Sequence, residues 1–517
     1  MATVPVADGP PEGDFRNFLR DDPDIRRFSY TDGTRHQMEM LARMMTFGSG
    51  TPEQDSDIPS GFTYLLQFTV HDLVDTSQSS LKRPPEPVRN NRREPLRLQT
   101  LYGEYDQGRA ILVDDLLPIG PMRFAGKQPD GNDPRRDVQR NRLPDAQKPP
   151  FWKPVLADEN NDSNVVLSQL TVLFSLLHNA FVQRLEDTGN RADDARRATT
   201  IVYRHILRHE VLPKIIHPAI WELYNTGFGP IDRGSAGKLP LEFSYGALRF
   251  GHAMVRNRYK VNREHDDRLS FTTDLLRATY KWAGPTALPL TAEWIVTWSE
   301  FFDFRGVEGF EYLPAPNFAR RIGPMIMNVL NAATLFPQEG DAAIPGLIHR
   351  DLMRSAQAGL WSVPALVDVL REAVRLAPLL PDGDTVHAEV RTWLQDNRRS
   401  AFPLGDDEVA AIAADPPMSF YILLEAELAR KAANADGVGT LGPLGSIIIA
   451  EVMLGILDQD DREFGKAKDP LDRKLALVSD AFKDCGRLDN MVALIRFVAE
   501  HPPRSEAEPA EHEPPLI

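Results

Sequence analysis

Gln67 and His71 lie four residues apart in SGFTYLLQFTVHDLVDT (residues 60–76), a stretch that is apolar along most of its length. On a helix this spacing puts an amide and an imidazole on one face, one turn apart. A lone histidine in such surroundings is ordinarily a core side chain with one hydrogen-bonded nitrogen, so a chemical role needs a second group elsewhere. LEFSYGALRFGHAMVRNRYKVN (residues 241–262) supplies one. There His252 has Tyr245, Leu248, Arg249 and Val255 as helical neighbours. A histidine and an arginine one turn apart on an apolar face suit a haem site, the imidazole as iron ligand and the guanidinium against a propionate.

Other motifs read as ordinary structure. GVGTLG (residues 437–442) has the spacing of a dinucleotide loop, but the preceding FYILLEAELARKA is helical, so the glycines mark a helix–helix turn. His205 and His209 have a zinc-compatible spacing, yet Glu210 follows the second histidine and not the first, unlike metalloproteases. Packing or surface histidines are the better reading. No GxSxG elbow anchors a hydrolase triad.

These residues need helices to position them. Apolar residues at steps of three and four mark helices over 164–186, 192–216, 243–255, 292–302, 318–333, 363–376, 418–433, 446–457 and 475–500. Asp193 and Asp194 suit the first turn of the second. Strand signals are few, so the fold expected is mainly α: one large helical body over 26–500 with long irregular loops. Residues 82–95 and 127–154 read as Pro-rich loops, 1–25 as an irregular leader, and 501–517 as a disordered acidic, Pro-rich tail.

Bulk composition excludes some functions. Of 517 residues, 42% are hydrophobic and 26% charged, and 74 acidic against 59 basic side chains give a net charge of −15. Without a basic stripe, neither nucleic acid nor an anionic membrane surface is an expected partner. The single cysteine, Cys485, rules out an intrachain disulfide and CxxC metal sites. The start MATVPVADGPPEGDF has no basic n-region or apolar core, and the apolar stretch 441–457 is interrupted by Pro443 and Glu451. A cytoplasmic protein without a membrane span is expected.

Several motifs in order resemble the animal-type haem peroxidase superfamily (the myeloperoxidase, peroxinectin and cyclooxygenase group), most closely its bacterial members. GFTYLLQFTVHDL resembles the distal helix, LRLQTLYG the loop after it, and DENNDSNVVLSQLTVLFSLLHNAF the segment that brings further catalytic side chains. FSYGALRFGHAMV resembles the proximal helix, GLIHRDLMRSAQAGL its support, and MSFYILLEAELA with LGPLGSIIIAEVMLGIL the C-terminal helices. The resemblance implies a multi-helix peroxidase-like fold, haem b, and oxidation of a small organic reductant by hydrogen peroxide. It makes His71 the distal proton carrier, Gln67 a lining residue that holds water or an anion, and His252 the axial iron ligand. Arg249 and Arg354 take the positions of propionate contacts, and Asp351 that of the side chain accepting from the axial ring.

The departures are chemical. Asn160 stands where the family has a distal arginine, which stabilises charge on the departing oxygen; an amide brings no charge. Arg140 and Arg142 are the candidates for a substitute charge. Asp72 matches a calcium ligand, but Arg97 and Gln99 stand where further carboxylates are expected, and a hard cation prefers several anionic oxygens. An Arg97–Asp72 ion pair would replace the ion. A non-catalytic haem-binding or sensing protein is the alternative function. A fatty-acid oxygenase is disfavoured, because Arg249 stands where that chemistry has a tyrosine. Val70 and Ser163 occupy the positions that form haem esters in mammalian relatives, and neither has a carboxylate. Acid–ketone extraction should therefore release intact haem; haem mass retained on the denatured chain would contradict non-covalent binding.

Overall fold

The computed structural model describes residues 15–19, 26–46, 54–76, 90–104, 112–123, 136–143, 151–186, 189–229, 231–232, 238–263, 269–279, 288–331, 346–398, 404–435, 437–458, 470–486 and 488–501. The tail beyond 501, residues 82–89 of the first expected loop, and the leader apart from 15–19 lie outside them. The protein is 55% helical with a few short strands, as expected of a mainly α fold.

At its centre runs the helix Val165–Arg184, in which every residue from 165 to 182 is buried. It alone is long and apolar enough, among single described helices, to cross a membrane, and here protein covers it throughout. Asn164 starts it by accepting the Leu167 N–H at 2.9 Å, satisfying one of the unpaired donors of a first turn. The His71 helix, Gly61–Leu73, packs on it through Phe68, stacked on Phe174 at 5.1 Å and 7°. Tyr203, from Arg191–Ile206, meets both rings edge-on. Gly61 permits the close entry of the His71 helix: a Cβ there would lie 2.5 Å from the Phe302 ring and 2.6 Å from the Phe301 carbonyl.

The segment carrying His252 is helical but not α. A π turn over Glu242–Gly246 runs into a 3₁₀ helix over Ala247–Met254. Glu242 fixes its start. The buried carboxylate accepts the Phe18 and Trp361 N–H groups at 2.8 and 2.9 Å and the Asn17 amide at 2.8 Å, so residues 17 and 18 are built into the body. At the change of helix type, a Cβ on Gly246 would meet Met418 Sδ at 2.6 Å, which lets the segment press against Met418–Ala432.

Several expected helices are cut by local chemistry. Residues 292–302 form two 3₁₀ turns, Ala292–Trp294 and Trp298–Glu300, around the β-branched run Ile295-Val296-Thr297. In 318–333, Gly323-Pro324 stops any helix; Phe318–Arg320 is a strand against Asp55–Pro59, and only Asn328–Asn331 turns, as 3₁₀. The span 475–500 divides into the end of Leu471–Ala476, the 3₁₀ turn Asp480–Phe482, and Met491–Glu500 with Asn490 capping Ala493. In 192–216, a π turn over Leu207–Val211 precedes Pro213, which cannot bond back to the carbonyl four residues earlier. Residues 437–442 do lie in the turn between Met418–Ala432 and Pro443–Asp458.

The expected loop 127–154 contains paired strands. Arg136–Val138 pairs with Ile119–Pro121, and Arg140–Leu143 with Phe151–Pro154. Arg140 ties this region to the start of the central helix, donating to Asp162 at 2.7 and 2.9 Å and to Asp137 at 2.7 and 3.1 Å. All three side chains are buried, and the two carboxylates raise the guanidinium pKa further despite desolvation. Removing one partner strands the others, so Arg140→Ala should cost about 3–5 kcal/mol in urea unfolding; a loss under about 1 kcal/mol, the value of a surface pair, would contradict this account.

Candidate active site

His71 and His252 are brought together by packing of the His71 helix directly against the 3₁₀ segment. Each ring is held at Nδ1 by a side chain from a third element. Both are only partly buried, the His252 side chain being 30% exposed, among largely buried neighbours.

On the His252 side the partner is Asp351, from Leu347–Gln357, whose Oδ2 lies 2.5 Å from His252 Nδ1. A 3₁₀ helix has three residues per turn, so Arg249 and His252 align on one edge. Asp351 meets both: its Oδ1 is 3.7 Å from Arg249 Nη1. Burial would raise the Asp351 pKa, but the His252 ring, then Arg249 and Arg354, hold it below the usual 3.8. Arg249 is itself half-buried, its pKa lowered by desolvation, and its buried Nε has no hydrogen-bond partner. Arg354 adds a second positive charge beside it, and the Arg249 guanidinium lies 5.6 Å from the Tyr245 ring centroid. Two guanidiniums thus share one carboxylate already engaged by an imidazole, an arrangement with room for a further anion.

On the His71 side the partner is Asn161, a residue that sequence reasoning did not single out. Asn161 Oδ1 lies 3.0 Å from His71 Nδ1, and its amide nitrogen donates to the Thr100 carbonyl at 3.1 Å and hydroxyl at 3.0 Å. Those donations orient the Asn161 oxygen toward the ring. His71 must then carry its proton on Nδ1, leaving Nε2 the basic nitrogen. Asn160 differs: its backbone N–H donates to Asp158 at 2.9 Å, while its half-buried side-chain amide has no hydrogen bond among the described residues. Nothing in the sequence distinguishes Asn161 as a partner of His71.

Gln67 is fixed at both ends of its amide, donating to Ser163 Oγ at 3.4 Å and accepting from Asn164 Nδ2 at 3.1 Å. The cap of the central helix therefore also holds the residue one turn before His71. Arg140 is fully occupied by Asp137 and Asp162 and supplies no distal charge; the Arg142 side chain lies outside those described.

Two further residues escaped notice because they belong to the loop read as irregular. Asn90 donates to the Leu73 carbonyl at 2.9 Å. Arg92 Nε donates to the His71 main-chain carbonyl at 2.6 Å, and its guanidinium pairs with Asp158. They supply donors to carbonyls that a helix C-terminus leaves unpaired.

Both Asp72 oxygens are taken up by main-chain donors. Its oxygens accept the Leu98 N–H at 2.9 Å and the Thr100 N–H at 3.1 Å, where Leu96 and Leu98 both adopt φ near +58°. Burial pushes its pKa up to about 6 against the pull of these donors and Arg92. Among the described residues, no three His, Cys, Asp or Glu side chains converge as a metal site. The His205 and His209 rings lie 4.4 Å apart and tilted by 36°, and burial and the second ring lower His205 to about 4, as suits a half-buried packing histidine beside an exposed one.

The residues present fit a haem: an imidazole anchored behind by a carboxylate, an orphaned buried guanidinium atom beside it, and a second imidazole on the adjacent helix. The sequence of residues 98–285 matches the family model for animal haem peroxidase, a span that includes Asn160, Arg249 and His252 but neither His71 nor Asp351. No curated protein sequence matches the chain. Among solved structures, peroxidase A from Dictyostelium discoideum superposes with a TM-score of 0.56 at 13% identity, over 96% of this chain and 94% of that one. Fatty acid alpha-dioxygenase from Oryza sativa gives 0.48 at 12% identity over 95% and 82%, and that from Arabidopsis thaliana 0.42 at 13% over 91% and 79%.

A folded Asp351 pKa below 3.8 means that the carboxylate stabilises the fold at neutral pH, and that this contribution is lost as pH falls through the folded value. Asp351→Ala should cost about 1.5–3 kcal/mol at pH 7, as for a hydrogen bond to a charged group. The difference from wild type should narrow in denaturation curves taken below pH 3.8; a cost independent of pH would remove the charge from this account. The chain has the mainly α fold of a haem peroxidase, and residues 98–285 carry the sequence pattern of the animal haem peroxidase family.

Proposed function

We propose that the protein is a haem-dependent peroxidase that uses hydrogen peroxide to oxidise a small organic reductant, with haem b held non-covalently. The observation that carries this reading is the pair of imidazoles on adjacent helical segments, each fixed at Nδ1 by a partner of different charge. Haem supplies the electron-transfer chemistry when bound. His252 Nε2 is the nitrogen that would ligate it, Arg249 and Arg354 would be the cations for its propionates, and Asp351 would make His252 a more electron-rich ligand.

His71 does the proton work. With Nδ1–H committed to Asn161, Nε2 accepts a proton from hydrogen peroxide and returns it to the leaving oxygen. Gln67, pinned by Ser163 and Asn164, presents a fixed amide one turn away. Asn160 replaces a cation with a neutral donor, so charge on the leaving oxygen is stabilised less than by arginine. A missing preorganised donor of this kind costs about 10²–10³ in rate. The same residue favours the second reading, a haem-binding or sensing protein that retains the fold without turnover.

Absorption spectra of the haem-loaded protein before and after peroxide separate the two readings. His252→Ala should lose the Soret band or bind haem weakly; an unchanged spectrum would remove the axial assignment. In stopped-flow measurements Asn160→Arg should accelerate the peroxide reaction and His71→Ala slow it further. A wild-type protein inert to peroxide and unaffected by Asn160→Arg would support the non-catalytic reading.

A further inference from the structure

We propose that Arg92 and Asp158 form a metal-free clamp that positions His71 together with Asn161, where the related peroxidases are expected to hold calcium. Acceptors that an ion would need are already used. Both Asp72 oxygens accept backbone N–H groups, and Gln99 Oε1 accepts those of Arg93 and Glu94 at 3.1 and 3.3 Å. A cation is also present: the Arg92 charge acts on Asp72 directly, lowering its pKa against burial. A divalent ion would have to enter beside that guanidinium and be repelled by it.

The clamp reaches the histidine from two sides. Arg92 Nε holds the His71 main chain through its carbonyl, while the other end of the guanidinium grips Asp158. The remaining contacts of Asp158 lead to the ring: Oδ1 accepts the Asn160 N–H at 2.9 Å, and Oδ2 accepts the Thr100 hydroxyl at 3.2 Å. Thr100 in turn accepts from Asn161, whose oxygen meets His71 Nδ1. Backbone and ring of one histidine are therefore tied to a single buried ion pair. Arg92 and Asp158 are both 8% exposed, so salt screens the pair little and the charged bonds are strong. This makes Arg92 a positioning residue. Lysine would not reproduce it, since one ammonium cannot present the same rigid fork to a carbonyl and a carboxylate.

The activity arm of the test rests on proton transfer by His71 as proposed above; the cyanide arm needs only that His71 face bound haem, and the calcium arm needs neither. In the unmodified haem-loaded protein, calorimetric titration with calcium chloride to about 1 mM, the weak end of protein calcium sites, should give no saturable heat. The thermal midpoint should be the same with and without EDTA. Saturable calcium binding, or a midpoint lowered by EDTA and restored by calcium, would overturn the clamp. Arg92→Gln should keep haem content and the Soret band, slow the peroxide reaction on the order of tenfold or more, and shift the pH dependence of cyanide affinity. Arg92→Lys should recover only part of each. If Arg92→Gln lowers the thermal midpoint while cyanide affinity keeps its pH dependence, Arg92 is structural only and the proposal fails. Thr100→Val covers the case in which Arg92 variants do not fold, because it keeps both charges and removes only the hydroxyl that joins the Asp158 carboxylate to the Asn161 amide. It should shift the cyanide pH profile in the same direction, and an unchanged profile would count against the clamp. Should the wild-type protein bind haem but ignore peroxide, the peroxidase reading fails while the calcium and cyanide results still decide this one.

Discussion

A single buried carboxylate, Asp351, sets the geometry of the His252 side. It stands on a helix remote in sequence, yet its oxygens meet an imidazole and a guanidinium three residues apart. An α-helical turn would splay those side chains by about 60°, whereas a 3₁₀ turn superposes them. The 3₁₀ type thus brings both side chains to one edge, where a single carboxylate reaches them. Glu242 and Gly246 make the type affordable to hold, one by gathering three donors at the start of the segment, the other by removing a side chain where Met418 presses in.

The two histidines are treated differently, and the difference has a physical basis. A carboxylate behind His252 makes the ring a stronger electron donor. A neutral amide oxygen behind His71 fixes the tautomer without drawing the proton strongly, so the opposite nitrogen can pick up a proton and release it. Under the proposed function, exchanging the partners would make His252 a poorer ligand for haem iron and His71 slower to release its proton.

Much of this was legible in the sequence, for definable reasons. Gln67 and His71, and Arg249 and His252, are close in the chain, so spacing alone relates them. Asp351 and Arg354 were reached through resemblance to known motifs, since no periodicity links residue 252 to residue 351. What escaped depends on contacts between distant segments. Asn161 is distinguished from Asn160 only by Thr100, and Arg92 only by the carbonyl and carboxylate it finds 21 and 66 residues away. Apolar steps of three and four are also common to α, π and 3₁₀ segments, so the pattern over 243–255 was read correctly as helical but not as to type. Over 292–302 and 318–333 the same steps misled outright, because Ile295-Val296-Thr297 and Gly323-Pro324 outweigh them.

The entry of the His71 helix also acts as a measuring device. Ser60 and Gly61 donate to the Asn317 and Phe301 carbonyls at 2.7 and 2.8 Å, and the absent side chain of Gly61 lets the backbone seat against the Phe302 ring. His71 lies ten residues beyond this stop, roughly 15 Å along the axis at 1.5 Å per residue. A helix counted from a fixed origin cannot absorb a change in length: one residue added or removed between 61 and 71 would turn the ring through about 100° and carry it away from Asn161. The geometry thus constrains the number of residues along those nearly three turns more tightly than the identity of their side chains.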